Sequence, residues 1–182
     1  MDILETIMTR RSVRHYQDTP VADGDLKIIL EAARMAPSWK NTQCWRFIVV
    51  RDSEVKAELA EAMGDNAASE AVRGAPVVIV VCAELGRSGY IDDKVATDKG
   101  EYWFMFDVAL AMQDLVLAAH SLGLGTVIVG SFNAGKVAAA LEVPPGFSVV
   151  AMTPLGYPEY RPKPRPRKEP SEIIFREKFG VS

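Results

Sequence analysis

The chain has 182 residues, of which 48% are hydrophobic and 25% charged, and its formal net charge is −3 at pH 7. This composition is typical of one folded domain rather than of a disordered segment, and the acidic balance argues against a nucleic-acid-binding protein. The two cysteines, Cys44 and Cys82, and the two histidines, His15 and His120, are too few for a disulfide framework or for a zinc or iron site.

Apolar spacing and capping residues predict the elements of the first half of the chain. Asp2 can cap a short helix over 2–9, and Asp23 can cap a second helix that ends before Pro37. The remaining predicted elements of this half are a strand over 45–50, a helix from Ser53 to Gly64, and a short helical stretch before Ala75.

The second half begins with an unbroken β-branched run over 77–81, which is typical of a strand covered on both faces. A polar loop over 84–100 leads to a long apolar helix over 102–122. Asp107, Gln113 and Asp114 lie in its middle and would be costly in lipid, so we interpret it as a buried core helix and expect no membrane association. The last predicted elements are a strand over 126–129, a helix over 133–141 and a strand over 147–155.

The two ends of the chain differ in character. The first residues include acids and no long apolar core, which argues against a secretory signal and predicts a cytoplasmic protein. From Pro158 onward, five prolines up to Pro170 favour an extended backbone of about 3.1 Å per residue. A flexible solvated tail is one interpretation of this segment. The return of apolar residues over 173–179 favours a tail that docks on protein.

Positive charge is concentrated in two short segments that contain neither Asp nor Glu. One lies at the end of the first predicted helix and one in the proline-rich stretch, and together they hold 8 of the 21 Lys and Arg residues: Arg10, Arg11, Arg14, Arg161, Lys163, Arg165, Arg167 and Lys168. Clustered cations repel one another, and the planar fork of arginine suits phosphate oxygens. We therefore expect a bound phosphate monoester, with a solvated basic face as the alternative.

The chain lacks the glycine patterns of the common nucleotide sites. No P-loop is present, and Gly123 and Gly125 follow a helix and precede a strand, which reverses the order of a dinucleotide-binding fingerprint. A polar, aromatic segment over 36–45 offers amide groups suited to the edge of a heterocycle. An ordinary turn with capping side chains explains the same composition.

Four segments, in this order, resemble the nitroreductase family: Arg10-Arg11-Ser12-Val13-Arg14; Pro37-Ser38 followed by Asn41, Gln43 and Trp45; Gly123-Leu124-Gly125-Thr126 through Gly130-Ser131-Phe132; and Leu155-Gly156-Tyr157-Pro158 with Arg165 and Arg167. The resemblance implies one α+β domain over 1–182, with a central mixed β-sheet flanked by helices. It also implies an intertwined homodimer with FMN at the interface, in which the extended C-terminal segment over 157–182 packs on the partner subunit.

The resemblance also implies the residues of the flavin site. These are Arg10, Ser12, Arg165 and Arg167 around the phosphate and ribityl chain, with Arg11 nearby; Arg14 near the pyrimidine edge; Pro37, Ser38 and Asn41 from the other subunit; and Gly130 and Ser131 near N5. Cys44 stands where the family usually has proline, and the segment over 66–73 gives no clear match to a further flavin contact. No catalytic side chain and no metal ligand are expected.

The implied activity is ping-pong transfer of electrons from NADH or NADPH through FMN to a small acceptor such as a nitroaromatic or a quinone. Flavin-dependent dehydrogenation, dehalogenation or flavin cleavage are alternatives within the family. A non-catalytic FMN-binding protein is a further alternative. An RNA-binding protein that stacks bases on Trp39, Trp45 or Tyr160 is disfavoured by the acidic charge.

Overall fold

The structure, a computed structural model, describes residues 2–181. Its helices and longer strands follow the predicted order: α1 (Ile3–Thr9), α2 (Asp23–Arg34), β1 (Trp45–Val50), α3 (Ser53–Glu61), α4 (Ser69–Gly74), β2 (Val77–Glu84), β3 (Tyr90–Ile91), β4 (Lys94–Val95), α5 (Trp103–Ser121), β5 (Gly125–Thr126), α6 (Ala134–Ala140) and β6 (Phe147–Gly156). The α+β class is confirmed. The predicted loop over 84–100 contains the small β3–β4 hairpin.

Side-chain capping explains where several helices begin. Asp2 accepts a hydrogen bond from the backbone N–H of Glu5, and Asn133 caps α6 through the N–H of Lys136. One predicted cap was wrong, since Asp23 is the first residue of α2 and Ala22 takes the cap position. Helix α3 begins at Ser53 as predicted, and Asp52 caps it.

Four strands form the main sheet, in the order β1-β2-β6-β5, and every ladder in it is antiparallel. The parallel component of the predicted mixed sheet is a single bridge between Ser12 and Thr126. Thr126 pairs with Leu155 and Val129 with Met152 in one register, so the predicted strand over 126–129 is extended but paired only at its two ends.

Strand β2 lies in the middle of two apolar layers, as its β-branched run predicted. Ile79 and Val81 face a core formed with α2 and α5, whereas Val78 and Val80 face a second core formed with α3, α4 and α6. All four side chains are fully buried. Successive strand residues point to opposite faces, so one strand contributes to both cores.

Helix α5 is the central helix, and it packs mainly on α2 and the sheet. By length and composition alone, the stretch Gly100–Ser121 could also cross a membrane, a test that core helices of folded domains pass as well. Its face towards the sheet is buried, whereas Tyr102, Met105 and Phe106 near its start are exposed by 49–64%. No other element of the described chain covers these side chains.

The C-terminal tail leaves the sheet after β6. Pro158 still pairs with Tyr16, and beyond it the described tail has one short 3₁₀ turn at Pro170–Glu172. Ile173, Ile174 and Phe179 are exposed by 60%, 61% and 92%. The apolar end of the tail is therefore not buried against the rest of the described chain.

Candidate functional site

The segment after α1 runs along the β5 end of the sheet. The backbone N–H of Val13 donates to the carbonyl of Thr126 (2.8 Å), and that of Gln17 donates to Tyr157 (2.9 Å). The approach is so close that a Cβ atom at Gly125 would lie 2.8 Å from the Cβ atom of Val13. Glycine at this position therefore lets the predicted arginine segment pack directly on the sheet.

Arginines from the two ends of the chain come together at this edge. The pKa of Arg10 is lowered by burial and by the positive charges of Arg11 and Arg167. Burial, together with Arg161, Arg10 and Arg11, likewise lowers the pKa of His120 at the end of α5. Within residues 2–181, none of the salt bridges involves these arginines. The cluster is therefore a cationic site whose charges repel one another until an anion binds.

A cleft of about 310 Å³ opens beside this arginine cluster. Its walls come from the end of α1, the end of α5 and the start of the tail, and they include Arg11, His120 and Arg161. The hydroxyl of Thr9 donates to the carbonyl of Glu5 (2.6 Å), and Thr9 Oγ1 and His120 Nε2 lie 2.9 Å apart in a second hydrogen bond. The positive charges of Arg11 and Arg161 in these walls suit a phosphate group.

The segment over 37–43, called here the Pro37 loop, forms a tight 3₁₀ turn with unusual backbone geometry. Lys40, Asn41 and Gln43 have φ angles of 43°, 57° and 49°, in the left-handed region that non-glycine residues seldom adopt. Ser38 holds the turn, since its hydroxyl accepts from the N–H of Gln43 (3.0 Å) and its carbonyl accepts from that of Asn41 (3.0 Å). Pro37 and Asn41 are exposed, so they are available to a ligand.

The Pro37 loop is anchored to α5 by a residue that sequence reasoning placed only in the core helix. Asp107 is 1% exposed, and its Oδ2 atom accepts from the backbone N–H of Trp39 (3.0 Å) and from the hydroxyl of Ser88. A buried carboxylate is stable only when it is hydrogen-bonded. An acidic residue within an apolar helix was therefore the sequence signal that could have predicted this anchor.

The segment at Gly130 and Ser131 lies exposed at the end of the extended stretch that begins beside Ser12. Asn66 Nδ2 donates to the backbone carbonyl of Ser131 (2.9 Å). The loop after α3, which the sequence left unassigned, is therefore adjacent to the predicted N5 segment. Gly130 lies four positions after Thr126, about 13 Å of extended chain.

The Pro37 loop and the arginine cluster lie near opposite ends of α5. The loop is anchored at Asp107, and the cluster surrounds His120, 13 residues further along the same helix. At about 1.5 Å per residue, these anchor points are about 20 Å apart. A single small ligand therefore cannot easily contact both predicted groups within one subunit.

A model of the nitroreductase family matches residues 7–157, which include the segment after α1, the Pro37 loop and α5 but not the arginines of the tail. The chain belongs to the nitroreductase family. It is 31% identical to an NADPH-flavin oxidoreductase of Vibrio harveyi over 178 residues, which is 96% of this chain and 72% of that protein.

Solved nitroreductase structures share the fold over nearly the full chain. A nitroreductase family protein from Clostridium novyi NT superposes with a TM-score of 0.79 at 35% identity and covers 100% of this chain and 97% of its own. The NADPH:FMN oxidoreductase from Vibrio harveyi complexed with NAD⁺ gives a TM-score of 0.85 at 28% identity, with 97% and 77% covered.

Within this nitroreductase-family chain, the structure brings some of the predicted site residues together and separates others. Arg10, Arg11 and Arg167 form one charged cluster, with Ser12 on the adjoining bridge. Arg14 and Arg165 are exposed, and Arg14 is close enough to Tyr16 for its charge to act on that phenol. Pro37, Ser38 and Asn41 form a separate surface near the start of α5.

Proposed function

We propose that this protein is an NAD(P)H-dependent FMN oxidoreductase of the nitroreductase type, which passes electrons from NADH or NADPH to a small acceptor such as a nitroaromatic or a quinone. The observation that carries the proposal is the meeting of Arg10 with Arg167, from opposite ends of a nitroreductase-family chain, in a cluster without an acidic partner in the described residues. Relatives named as NADPH-flavin oxidoreductase and FMN reductase support the choice of flavin.

The residues fit the phosphate of FMN. Arg10, Arg11 and Arg167 offer forked donors to a doubly charged phosphate, and the hydroxyl of Ser12 lies on the same segment, with Arg165 two residues before Arg167 on the tail. A bound dianion would stabilise the cationic form of Arg10, whose pKa the neighbouring charges lower. The extended stretch to Gly130 and Ser131 would place backbone groups along the ribityl chain and the ring.

Bound FMN would supply the redox chemistry by taking hydride from the nicotinamide and releasing electrons to the acceptor. The chain's own contribution is binding and electrostatics. Arg14 would hold a positive charge near the pyrimidine edge, where it favours the anionic reduced state. No side-chain acid or base is assigned to this reaction.

We infer that two subunits together complete each site. The distance of about 20 Å along α5 between the two groups of predicted contacts means that Pro37, Ser38 and Asn41 would reach the flavin bound by a partner's arginine cluster. An antiparallel edge strand, β1, and a groove of about 580 Å³ between β1 and α2 are available to a partner's extended tail. Exposed apolar residues on α1, α5 and the tail would be covered in such a homodimer: Ile3, Leu4, Ile7, Met8, Met105, Phe106, Ile173, Ile174 and Phe179.

The cofactor proposal is tested by the purified protein and two variants. The protein should carry a flavin spectrum, release FMN on denaturation and bleach anaerobically with NADH or NADPH. Arg10→Ala should raise the Kd for FMN by at least roughly tenfold, because a charge-assisted hydrogen bond to phosphate is lost. Arg87→Ala, which breaks an exposed ion pair with Glu84, is the matched control. A colourless protein without affinity for FMN would refute the proposal.

The catalytic alternatives separate in the same experiment. Bleaching followed by reoxidation with a quinone or nitroaromatic supports the proposed reaction, whereas flavin that binds but is not reduced would point to a non-catalytic FMN-binding protein. A panel of acceptors under anaerobic conditions distinguishes the other flavin-dependent reactions of the family. A cytoplasmic location and a single FMN-binding domain over 1–182 remain predictions.

The dimer is tested by light scattering at several protein concentrations. Phe179→Ser changes a residue that is 92% exposed in the subunit, so it should leave the subunit folded while it weakens association and FMN binding together. Leu85→Ser, at an apolar position that is 44% exposed and outside the proposed interface, is the control. A monomer that binds FMN with full affinity would refute the shared site.

A further inference from the structure

We propose that Asp107 is a positioning residue that fixes the Pro37 loop and the neighbouring segment over 85–100, here called the hairpin loop, in one mutual arrangement. The inference rests on the proposed function, in which the Pro37 loop contacts a flavin. It assigns the role of a tether to a carboxylate that the binding scheme does not use.

Asp107 is placed to tether both loops through one oxygen atom. Among residues 2–181 it is the one buried carboxylate, and its Oδ2 atom accepts from the Trp39 N–H of the Pro37 loop (3.0 Å) and from the Ser88 hydroxyl of the hairpin loop. Ser88 is itself 1% exposed. A hydrogen bond in a dry environment is stronger than one exposed to water, so a single buried oxygen atom can hold both loops to α5.

The Pro37 loop needs an external tether because its own geometry is unfavourable. Three of its residues have left-handed φ angles without being glycine, and the Thr42 hydroxyl is buried with no hydrogen-bond partner in the described structure. Such a conformation persists only where surrounding contacts determine it. The Asp107–Trp39 hydrogen bond fixes the start of the turn, immediately after Ser38.

A second set of contacts joins the two loops directly. The indole Nε1 of Trp39 donates to the carbonyl of Tyr90 in the hairpin loop (3.3 Å), and the Trp39 ring packs edge-on against Trp103 at 5.2 Å. Gly89 has a φ of 84°, and a Cβ atom there would lie 2.8 Å from the Cβ atom of Trp103. The hairpin loop is therefore pressed onto the start of α5, next to the carboxylate that holds both loops.

Cys44 adds a third contact to the same oxygen. Its Sγ atom lies 4.0 Å from Asp107 Oδ2, and burial, followed by the charge of Asp107, raises the pKa of the thiol to about 11. The thiol stays protonated near neutral pH, so it can serve as a weak donor to the carboxylate. A proline at this position would have no side-chain donor to offer.

Three variants test the tether, with hydrogen exchange of the ligand-free protein as the first measurement. Asp107→Leu replaces the carboxyl group by an apolar side chain without an acceptor, Asp107→Asn keeps the volume and an acceptor oxygen, and Ser88→Ala removes only the hairpin-loop contact. Asp114→Asn, on the same helix and partly exposed, is the matched control. We expect Asp107→Leu to speed exchange in both loops, Ser88→Ala to speed it in the hairpin loop alone, and the other two to resemble the wild type.

Ligand binding separates positioning from a merely structural role. Asp107→Leu should raise the Kd for FMN by about tenfold, roughly the factor that loss of one buried hydrogen bond produces, and Asp107→Asn, which keeps an acceptor oxygen, should stay within about twofold of the wild type. Ser88→Ala should leave the Kd for FMN unchanged, because the hydrogen bond from Trp39 to Asp107 remains. A loss of thermal stability in Asp107→Leu with an unaltered Kd would make Asp107 structural only and would overturn the proposal.

The exchange experiment also distinguishes this inference from the proposed function. A wild-type protein that binds no FMN would refute the flavin assignment, whereas unchanged exchange of the Pro37 loop in Asp107→Leu would overturn the tether itself. If Asp107→Leu does not fold, Ser88→Ala decides, because loss of one hydroxyl leaves the core intact. Amide hydrogen exchange of the hairpin loop at the wild-type rate in that variant would then overturn the proposal.

Discussion

Replacement of Gly125 by alanine tests how the arginine segment is held on the sheet. The new methyl group would meet three atoms of Val13, its Cβ and both Cγ atoms, at 2.8–2.9 Å. Val13 is 6% exposed and β-branched, so it cannot rotate away. The two backbones would have to separate, and the hydrogen bond from Val13 N–H to the Thr126 carbonyl, now 2.8 Å long, would be lost or stretched.

The expected cost follows from these contacts. Overpacking costs about 1–3 kcal/mol and one net backbone hydrogen bond about 1 kcal/mol, so the free energy of unfolding should fall by about 2–4 kcal/mol. For a chain of this size that corresponds to a Tm lower by about 4–16 °C. Because Arg10 and Ser12 are on the displaced segment, FMN affinity should fall as well.

Urea denaturation and FMN titration check this prediction in a double-mutant cycle. Val13→Gly removes all three atoms that the new methyl meets, so in that background Gly125→Ala should cost less than about 0.5 kcal/mol. Gly24→Ala is the control, because nothing lies within 4 Å of its Cβ position in α2 and the change should stabilise the helix by about 0.5–1 kcal/mol. The same cost of Gly125→Ala in both backgrounds would refute the steric reasoning.

Three further predictions concern charge and core packing. Arg14→Met should slow flavin reduction in stopped-flow more than it raises the Kd for FMN, since the cation acts on the reduced state; equal effects would contradict that role. Burial and nearby arginines lower the pKa of His120 below its usual 6.5, so as the pH drops below about 6.5 the histidine takes up a proton more readily in the unfolded chain than in the folded one, and the free energy of unfolding falls. His120→Gln should flatten this fall when the free energy of unfolding is measured in urea between pH 5 and 8. Ile79→Ala, at a fully buried position, should cost about 2–5 kcal/mol in the same assay, and Ile28→Ala, 54% exposed, less than about 1 kcal/mol.

Local patterns in the sequence predicted most of the elements. The β-branched run of β2, the apolar spacing of α2 and the capping side chains Asp2 and Asn133 depend on neighbouring residues, so they can be read without a fold. Capping at Asp23 was wrong because an acid in the first turn of a helix looks the same as a cap in the sequence. The antiparallel order of the sheet could not be read, since pairing depends on distant segments.

The sequence by itself determined the fold class, the family and the two clusters of arginine, because each is carried by composition or by short ordered motifs. Only the tertiary structure placed Arg10 beside Arg167, brought Asn66 to Ser131 and set Asp107 beneath the Pro37 loop. These contacts join residues far apart in the chain. They depend on how the helices pack on the sheet, and that packing is a property of the whole core rather than of any one segment.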